Sequence, residues 1–543
     1  MYGLPRVVHY AIKHPGASGI SYPVALFAFF FLVCWCAWKL LPRKAWVPAN
    51  RIDLAAWLAL IPIIGIAGYA IAWLVSPVIS DCISPQVAAV AYRAAFYHGQ
   101  IYGPLNAGAQ FSMLYGPITY LAQMPAFLLL GGSLFTAKVT GVIVLVVSLW
   151  FVYRSCRTLA STSESIIALG LVCLVLAFFQ NMSFLNRPEP ILLLCVAVPV
   201  WMIATGRECW AFLVTSIAVA LAINLKISGV LYLLPAIAFL LYRAKLRRVI
   251  EGLSAATVLV VLPFLLPSVS IMNYLAILRV DAKHGISLIG LVECFQWATV
   301  LLVLIFSSVL WRYRKGEKLS LHGVIFLGSL AFAIAGACVI GAKPGSGPHH
   351  LIPFLGILPH AYFWLRKDGL SGSYVPGGVP VFIPLALTLC LLAALQMERM
   401  ALGFRTESEE GRSVVDEIHS ILHDYPTQSI EMGYGDNVYE EPTYYRMLLV
   451  FAGNPYTIDA VPVQELQFGG KELPAASTSL LDGCRTDIWL IPKGEQPFAT
   501  RNGYNMHLRV FDNDFRMAFV SHYHEIVSRR FFEVWRCTNR RYY

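Results

Sequence analysis

Acidic side chains are scarce in the first 396 residues of this 543-residue chain, where only ten occur. A carboxylate is costly in or near lipid, so each one in an apolar region is a candidate for chemistry. General-base catalysis needs a carboxylate or a histidine close to the reacting atom. The ten are Asp53, Asp81, Glu164, Glu189, Glu208, Glu251, Asp281, Glu293, Glu317 and Asp368.

The composition around these residues is that of a membrane protein. The chain is 57% hydrophobic and 13% charged, with a mean hydropathy of +0.64, whereas soluble proteins carry about 25% charged residues. The net charge of +10 does not indicate a nucleic-acid partner, because the first 396 residues hold 26 basic and ten acidic side chains, while 397–543 hold 15 and 21. The composition therefore predicts a polytopic helical membrane unit followed by a mildly acidic soluble domain.

Basic residues decide the predicted orientation. About twelve apolar spans, the first at 20–41, are joined by connections that are alternately basic, and those connections hold 17 of the 26 basic residues. By the positive-inside rule they face the cytoplasm. The sequence predicts an integral protein of the plasma or inner membrane with both termini extracytoplasmic.

One apolar segment, 116–132, does not fit as a crossing, because counting it would place every later loop against its charge. We predict a juxtamembrane helix there, and a second at 84–98, where Ser84 can be the N-cap and Pro85 the first helical residue. Both lie in one outer loop, 77–134, of a transmembrane domain spanning 1–396.

This topology leaves few groups on the outer face that could act as a base. Asp81 is the best placed, because it follows a crossing helix and precedes a helix N-terminus, which favours the ionised carboxylate. A solvated loop residue is the alternative reading. The complete set of outer candidates is Asp81, Glu189, Asp281, Glu293, His98, His284, His349 and His350.

Cations and short polar turns accompany these candidates. Arg187 and Glu189 could orient a polar substrate, or form an ion pair with each other in a structural turn. Lys226 could contact a substrate or extend to the interface. A phosphate could be held by Arg279, Lys283 and His284 in one loop and by Lys343, His349 and His350 in a glycine-rich one. Ordinary flexible loops are the alternative, and zinc at the adjacent histidines is disfavoured because adjacent side chains do not converge easily and no further ligand is near.

An ordered set of motifs extends over roughly residues 50–400. It comprises ISD at 79–81, YHGQIY at 97–102, YGPITY at 115–120, VYR at 152–154, RPEP at 187–190, KISG at 226–229 and HHLIP at 349–353. In this order the chain resembles the GT-C superfamily of integral membrane glycosyltransferases. The branches it resembles are the protein O-mannosyltransferases and the lipid A aminoarabinose transferases.

The resemblance implies inverting transfer of a sugar from a polyprenyl-phosphate donor to a lipid, glycan or protein acceptor. It implies Asp81 as the general base, and the motifs add Tyr102 and Tyr115 to the substrate-binding candidates. Many relatives carry an acidic pair where this chain has Asp81-Cys82-Ile83. No cofactor is therefore predicted, and a divalent metal is disfavoured because one carboxylate is a poor site for Mg²⁺.

Residues 397–543 read as a small extracytoplasmic α/β domain that covers the acceptor side. The pattern indicates a helix at 411–423, strands at 429–432 and 487–491, and a strand pair at 524–537. Cys484 and Cys537 could form a disulfide if this domain lies outside. Two other functions stay open: a multi-pass transporter or lipid flippase, and a scaffold in which Asp81 is dispensable.

Overall fold

The computed structural model describes residues 32, 48–112, 115–242, 244–314, 316, 318–367, 382–437 and 441–538. Except for Leu32, the predicted first span at 20–41 lies outside these residues, as does Val381, with which the last predicted span, 381–395, begins.

Long apolar helices form the membrane unit. Within the described residues, six are long and apolar enough to cross a bilayer, and four shorter apolar segments occur at 118–130, 162–178, 188–204 and 227–241. The predicted helical membrane fold is confirmed, while the number of twelve spans remains a prediction. The helices up to the long helix that leads out of this unit are α1 Pro48–Val75, α2 Ile83–Tyr97, α3 Ile118–Leu121, α4 Met124–Leu130, α5 Leu134–Arg157, α6 Thr162–Phe178, α7 Pro188–Ala204, α8 Glu208–Leu225, α9 Leu234–Leu241, α10 Leu246–Val261, α11 Ile271–Asp281, α12 Leu288–Arg314, α13 Leu321–Gly341 and α14 Leu358–Lys367.

Two 3₁₀ helices lead into α9 and α14 at the end of the unit predicted to be outer. Ile227–Leu233 precedes α9, and Pro348–Gly356 precedes α14. With seven and nine residues they are long for 3₁₀ helices. Lys226 directly precedes the first of them, and His349 and His350 lie in the first turn of the second.

The outer loop contains the predicted juxtamembrane helices, with one correction at the start of the first. Helix α2 begins at Ile83, and its N-cap position is Cys82 rather than Ser84. The Ser84 N–H donates to Asp81 Oδ1 at 3.2 Å, so Asp81 supplies the capping oxygen. The segment predicted as one helix at 116–132 is divided into α3 and α4.

The soluble part begins within a helix. Helix α15, Phe382–Asp424, has 43 residues and runs through the boundary predicted between 396 and 397. A four-stranded sheet follows, in the order β1-β2-β6-β5, with β1 parallel to β2 and the other pairs antiparallel. Its elements and those around it are β1 Ile430–Met432, α16 Arg446–Phe451, α17 Ala460–Phe468, α18 Ala475–Asp482, β2 Ile488–Pro492, β3 Arg501–Asn502, β4 Asn505–Arg509, α19 Asn513–His522, β5 Tyr523–Ser528 and β6 Phe532–Cys537.

Two large hydrophobic cores of the described residues do not follow the domain boundary that was predicted from the sequence. One core lies between the long helices. The second joins α2 and the outer-loop tyrosines to the C-terminal sheet, with Tyr102, Tyr120 and Trp489 among its buried members. The outer loop and the C-terminal region therefore form one packed unit. The structure also pairs Cys484 with Cys537 in a disulfide, which the sequence left open.

Candidate functional site

Asp81 lies in the short connection between α1 and α2 and is only 9% exposed. Its Oδ2 accepts hydrogen bonds from Arg187 Nε at 2.9 Å and Nη2 at 2.5 Å. Its Oδ1 accepts the Ser84 N–H. The carboxylate is thus fixed in orientation by a buried guanidinium and by the N-terminus of α2.

Arg187 reaches Asp81 because of the turn that the sequence RPEP makes. Arg187 is extended, with φ −124° and ψ 165°, and Pro188 is the first residue of α7. Proline suits this position, since its missing N–H would have no helical partner there. Although burial alone lowers the pKa of Arg187, the ion pair with Asp81 raises it above its ordinary value.

Glu189 forms an ion pair with Lys226, whereas its neighbour Arg187 pairs with Asp81. Glu189 Oε1 accepts from Lys226 Nζ at 2.5 Å, and its side chain is 1% exposed. The alternative to substrate binding that the sequence left open was an ion pair between Arg187 and Glu189. Each instead pairs with a residue from another segment of the chain.

The adjacent histidines complete this second group. His350 Nε2 lies 3.4 Å from Lys226 Nζ, and its Nδ1 lies 3.3 Å from the Tyr232 hydroxyl. His349 Nε2 is 3.8 Å from Glu189 Oε1. Burial lowers the pKa of His349 to about 3, so its ring is neutral at physiological pH. A neutral imidazole can still donate one hydrogen bond to a phosphate oxygen.

A cation could compete for this position. Glu189, His349 and His350 each offer a ligand atom, and these atoms lie within 4.8 Å of one another. The expectation that the histidines have no further ligand nearby is therefore wrong. The ammonium of Lys226 already contacts Glu189 and His350, so these residues fit a metal ion only if Lys226 moves away.

Tyr115, in the outer loop, lies beside Lys226. Lys226 Nζ lies 5.5 Å from the centre of its ring, and burial raises the pKa of Tyr115, which keeps the phenol protonated. Tyr102 acts on the backbone, since its hydroxyl donates to the Tyr115 carbonyl at 2.6 Å. Gly116 N–H donates to the Leu225 carbonyl at 2.9 Å, which seats this loop beside Lys226.

The remaining predicted phosphate ligands lie elsewhere. His284 Nδ1 is 3.3 Å from both Asp281 Oδ1 and Glu465 Oε2, and Lys343 Nζ is 3.5 Å from Asp281 Oδ2. This outer ion cluster joins the end of α11 to α17. Arg279 and Lys283 are exposed on the same segment, and no described contact links them to Asp81. The phosphate set expected from the sequence is thus divided between two places.

Two participants were missed by sequence reasoning. Tyr232 lies inside an apolar run, and nothing in the sequence marks it. Lys138, 1% exposed, donates to the carbonyls of Trp73 at 3.0 Å and Ser76 at 2.7 Å, which caps the end of α1 just before Asp81. Its signal was available, because a lysine in the first turns of an apolar helix needs a partner. The other candidates, His98 and Glu293, lie outside both clusters.

Comparisons with known proteins agree with this architecture. Residues 116–271 match the family described as dolichyl-phosphate-mannose-protein mannosyltransferase. The structure is similar to ArnT from Cupriavidus metallidurans bound to undecaprenyl phosphate, with a TM-score of 0.58 and 12% identity over 88% of this chain and 98% of ArnT. For ArnT in the apo state the TM-score is 0.56, again with 12% identity, over 88% and 97%.

No curated protein sequence matches the chain significantly. The predicted resemblance to membrane glycosyltransferases of the GT-C superfamily is nevertheless confirmed. At 12% identity the similarity to the solved structures establishes the fold alone.

Proposed function

We propose that this protein, which has the GT-C fold, transfers a sugar from a polyprenyl-phosphate donor to an acceptor hydroxyl on the extracytoplasmic face of the membrane, with inversion. One observation carries the proposal. Two buried ion pairs, Asp81–Arg187 and Glu189–Lys226, come together from distant segments at one end of the helical unit. Buried ion pairs are costly, and perturbed charges gathered in one place mark functional sites.

Asp81 is the proposed general base. In the transfer step the acceptor oxygen attacks the anomeric carbon, the bond from that carbon to the phosphate oxygen breaks, and the hydroxyl proton passes to the Asp81 carboxylate. A single displacement of this kind inverts the anomeric centre. The fixed carboxylate lowers the cost of orienting the base during the reaction.

Arg187 and Lys226 are the proposed stabilisers of the leaving phosphate. Negative charge grows on the phosphate oxygens as the bond to the sugar breaks, and fixed cations in a water-poor site stabilise it. The guanidinium of Arg187 has five N–H donors, so it can bind a phosphate while still contacting Asp81. Neutral His349 and His350 can add hydrogen bonds, and no step needs a metal ion.

The donor class has independent support. The similar ArnT structure has undecaprenyl phosphate bound, and the family matched by 116–271 is named for a lipid-phosphate mannose donor. The disulfide Cys484–Cys537 supports an extracytoplasmic location, because disulfides persist in oxidising compartments.

The test is turnover of the donor by purified protein. Wild type, Asp81→Asn and Asp53→Asn would be incubated with a panel of polyprenyl-phosphate sugars, with and without acceptor extracts. Asp53 lies near the opposite end of α1, where its exposed carboxylate accepts from Ser163 Oγ at 2.7 Å, so its variant is the matched control. We expect Asp81→Asn to lose about 10²–10⁴-fold in turnover and Asp53→Asn to retain it.

Equal turnover by the two variants would remove Asp81 from the mechanism and make Glu189 the next candidate base. If folded wild-type protein consumed none of the donors, the transferase assignment itself would be contradicted, and the transporter alternative would gain support.

A further inference from the structure

Another buried ion pair lies in the C-terminal region, beside the connection that carries Asp81. Arg446, the first residue of α16, is 2% exposed, and Asp459, the N-cap of α17, is 0% exposed. Arg446 Nη1 lies 3.1 Å from Asp459 Oδ2. The hydroxyl of Tyr434 accepts from the same guanidinium, and the hydroxyl of Tyr456 donates to the same carboxylate.

This pair reaches beyond its own region at the connection that carries the proposed base. Arg446 Nη2 donates to the carbonyl of Cys82 at 3.0 Å. Cys82 follows Asp81 directly and is the N-cap residue of α2. The guanidinium therefore holds the peptide between Asp81 and α2, the helix whose Ser84 N–H donates to the Asp81 carboxylate.

The backbone on both sides of the pair is tied to the outer loop as well. Gln110 N–H donates to the Thr457 carbonyl at 2.7 Å, and Asp459 N–H donates to the Gln110 carbonyl at 2.9 Å. This is a short parallel bridge between the outer loop and the segment before α17. Asp459 cannot shift without moving the outer loop, so the pair is braced from the side opposite Cys82.

Stability alone is a weak reason to bury such a pair. Well-packed apolar residues in place of a buried ion pair are often neutral or stabilising, whereas a pair with fixed hydrogen bonds specifies one arrangement. The second core supplies aromatic neighbours, with Phe511 beside Tyr434, whose hydroxyl accepts from Arg446. What the pair adds to this core is a directed hydrogen bond to Cys82.

We propose that Arg446, held by Asp459, is a positioning residue that fixes the Asp81–Cys82 connection for transfer. The inference rests on the proposed function, because it assigns the C-terminal region a role in placing the base. Substrate is not contacted by Arg446. Its effect passes through the backbone of the connection, and a misplacement of about 1 Å at a reacting group can lower the rate about 10²-fold.

The experiment compares four variants: Arg446→Met, Arg446→Lys, the double variant Arg446→Met/Asp459→Asn, and Arg93→Met. The double variant removes the unpaired carboxylate that Arg446→Met leaves buried, so its stability should recover. Arg93 is the control, because it also links α2 to the C-terminal region, through the Tyr456 carbonyl at 2.8 Å, without touching the Asp81 connection.

Two readouts are needed. One is kcat and KM for the donor, and the other is amide hydrogen exchange of peptides covering 79–86, which requires no activity. We expect the double variant to fold, to lose about 10²-fold in kcat with little change in KM, and to exchange faster at 79–86. Arg446→Lys should recover part of kcat, and Arg93→Met should match wild type in both.

A double variant with wild-type kcat, or with unchanged exchange at 79–86, would overturn the positioning role. Failure of the proposed function has a different signature: wild type itself would turn over no donor, while the exchange measurement would still report whether Arg446 holds the connection.

Discussion

Buried charged residues are used in different ways at the two ends of the helical unit. At the end predicted to be cytoplasmic they satisfy helix ends. Glu164 closes a capping box with Ser161, and Arg312 donates to the carbonyls of Leu365 at 2.7 Å and Lys318 at 3.0 Å. These contacts are mostly to the backbone and hold neighbouring helices together.

At the end predicted to be outer, the ionic side chains contact one another. Asp81 meets Arg187 across 106 residues of sequence, and Lys226 meets Glu189 across 37. Three segments contribute these four residues to one place, and the histidines come from a fourth part of the chain. The end predicted to be cytoplasmic also holds a buried pair from distant segments, Glu164 Oε1 and Arg366 Nη1 at 3.7 Å. What distinguishes the other end is that two such pairs and two histidines converge in one place.

Substitution of Arg187 at one end and of Arg312 at the other tests this comparison, and the largest effect is expected at Arg187. Arg187→Lys keeps a positive charge but loses the two-pronged contact with Asp81, which an ammonium cannot reproduce. We expect donor turnover per folded molecule to fall about 10²–10³-fold, the cost of losing a preorganised donor to developing charge.

Arg312→Met is the counterpart at the other end. It leaves two backbone carbonyls without their donor, so the melting temperature should fall while turnover per folded molecule is retained. The measurement is donor turnover normalised to monodisperse protein, beside thermal unfolding. If both variants lose turnover equally, the two ends do not differ in the way proposed.

A smaller effect is expected where the backbone approaches closely near Lys226. A Cβ added at Gly116 would lie 2.1 Å from the Asn224 carbonyl oxygen, which is backbone and cannot move aside easily. Gly116→Ala should therefore destabilise the protein by about 1–3 kcal/mol and displace Tyr115 from Lys226, raising the KM for donor.

Gly68 provides the matched control for that substitution. It lies within α1, and nothing comes within 4 Å of a Cβ added there. Gly68→Ala should be neutral or stabilising by up to about 1 kcal/mol, since alanine favours helix. Thermal unfolding and donor saturation curves measure both variants, and equal behaviour would mean that the close contact at Gly116 has no consequence.

The sequence singled out the main residues of the candidate site one by one, and their roles stay predictions. Asp81, Arg187, Glu189 and Lys226 each lie at the end of an apolar run on the side predicted to be outer, and polar groups at such ends are few. Which of them pair could not be predicted, because pairing depends on how segments far apart in the chain pack. Asp81 and Ser84 are both good capping residues, and the sequence assigned the cap to the wrong one.

The contribution of the C-terminal region was beyond sequence reasoning. Arg446 and Asp459 lie in a stretch of ordinary soluble composition, where a charged residue is normally exposed. Neither is marked by a motif. Both are buried beside the Asp81 connection because the C-terminal region packs against the outer loop. The boundary at 396/397 stays a prediction, and α15 continues through it from apolar to charged sequence without a break.

The smallest expected effect concerns the outer ion cluster. There too ionisable side chains contact one another, but they join the end of α11 to α17. Burial, with the nearby Asp281 carboxylate, raises the pKa of Glu465 to about 8, although the Tyr504 hydroxyl that donates to it acts in the opposite direction. Burial also lowers the pKa of His284. At neutral pH the folded protein therefore holds Glu465 protonated beside a neutral histidine.

The sign of the pH dependence follows from the raised pKa. Below about 4.5, the ordinary value, both states bind the proton and the stabilising contribution is fully present. As the pH rises towards about 8 the unfolded chain releases the proton first, so this contribution is progressively lost. Glu465→Gln cannot ionise, and its melting temperature should fall less than that of wild type between these pH values. Glu525→Gln, at an exposed position on β5, should keep the wild-type slope; a Glu465→Gln curve parallel to wild type would show that this carboxyl ionises as freely in the folded protein as in the unfolded chain.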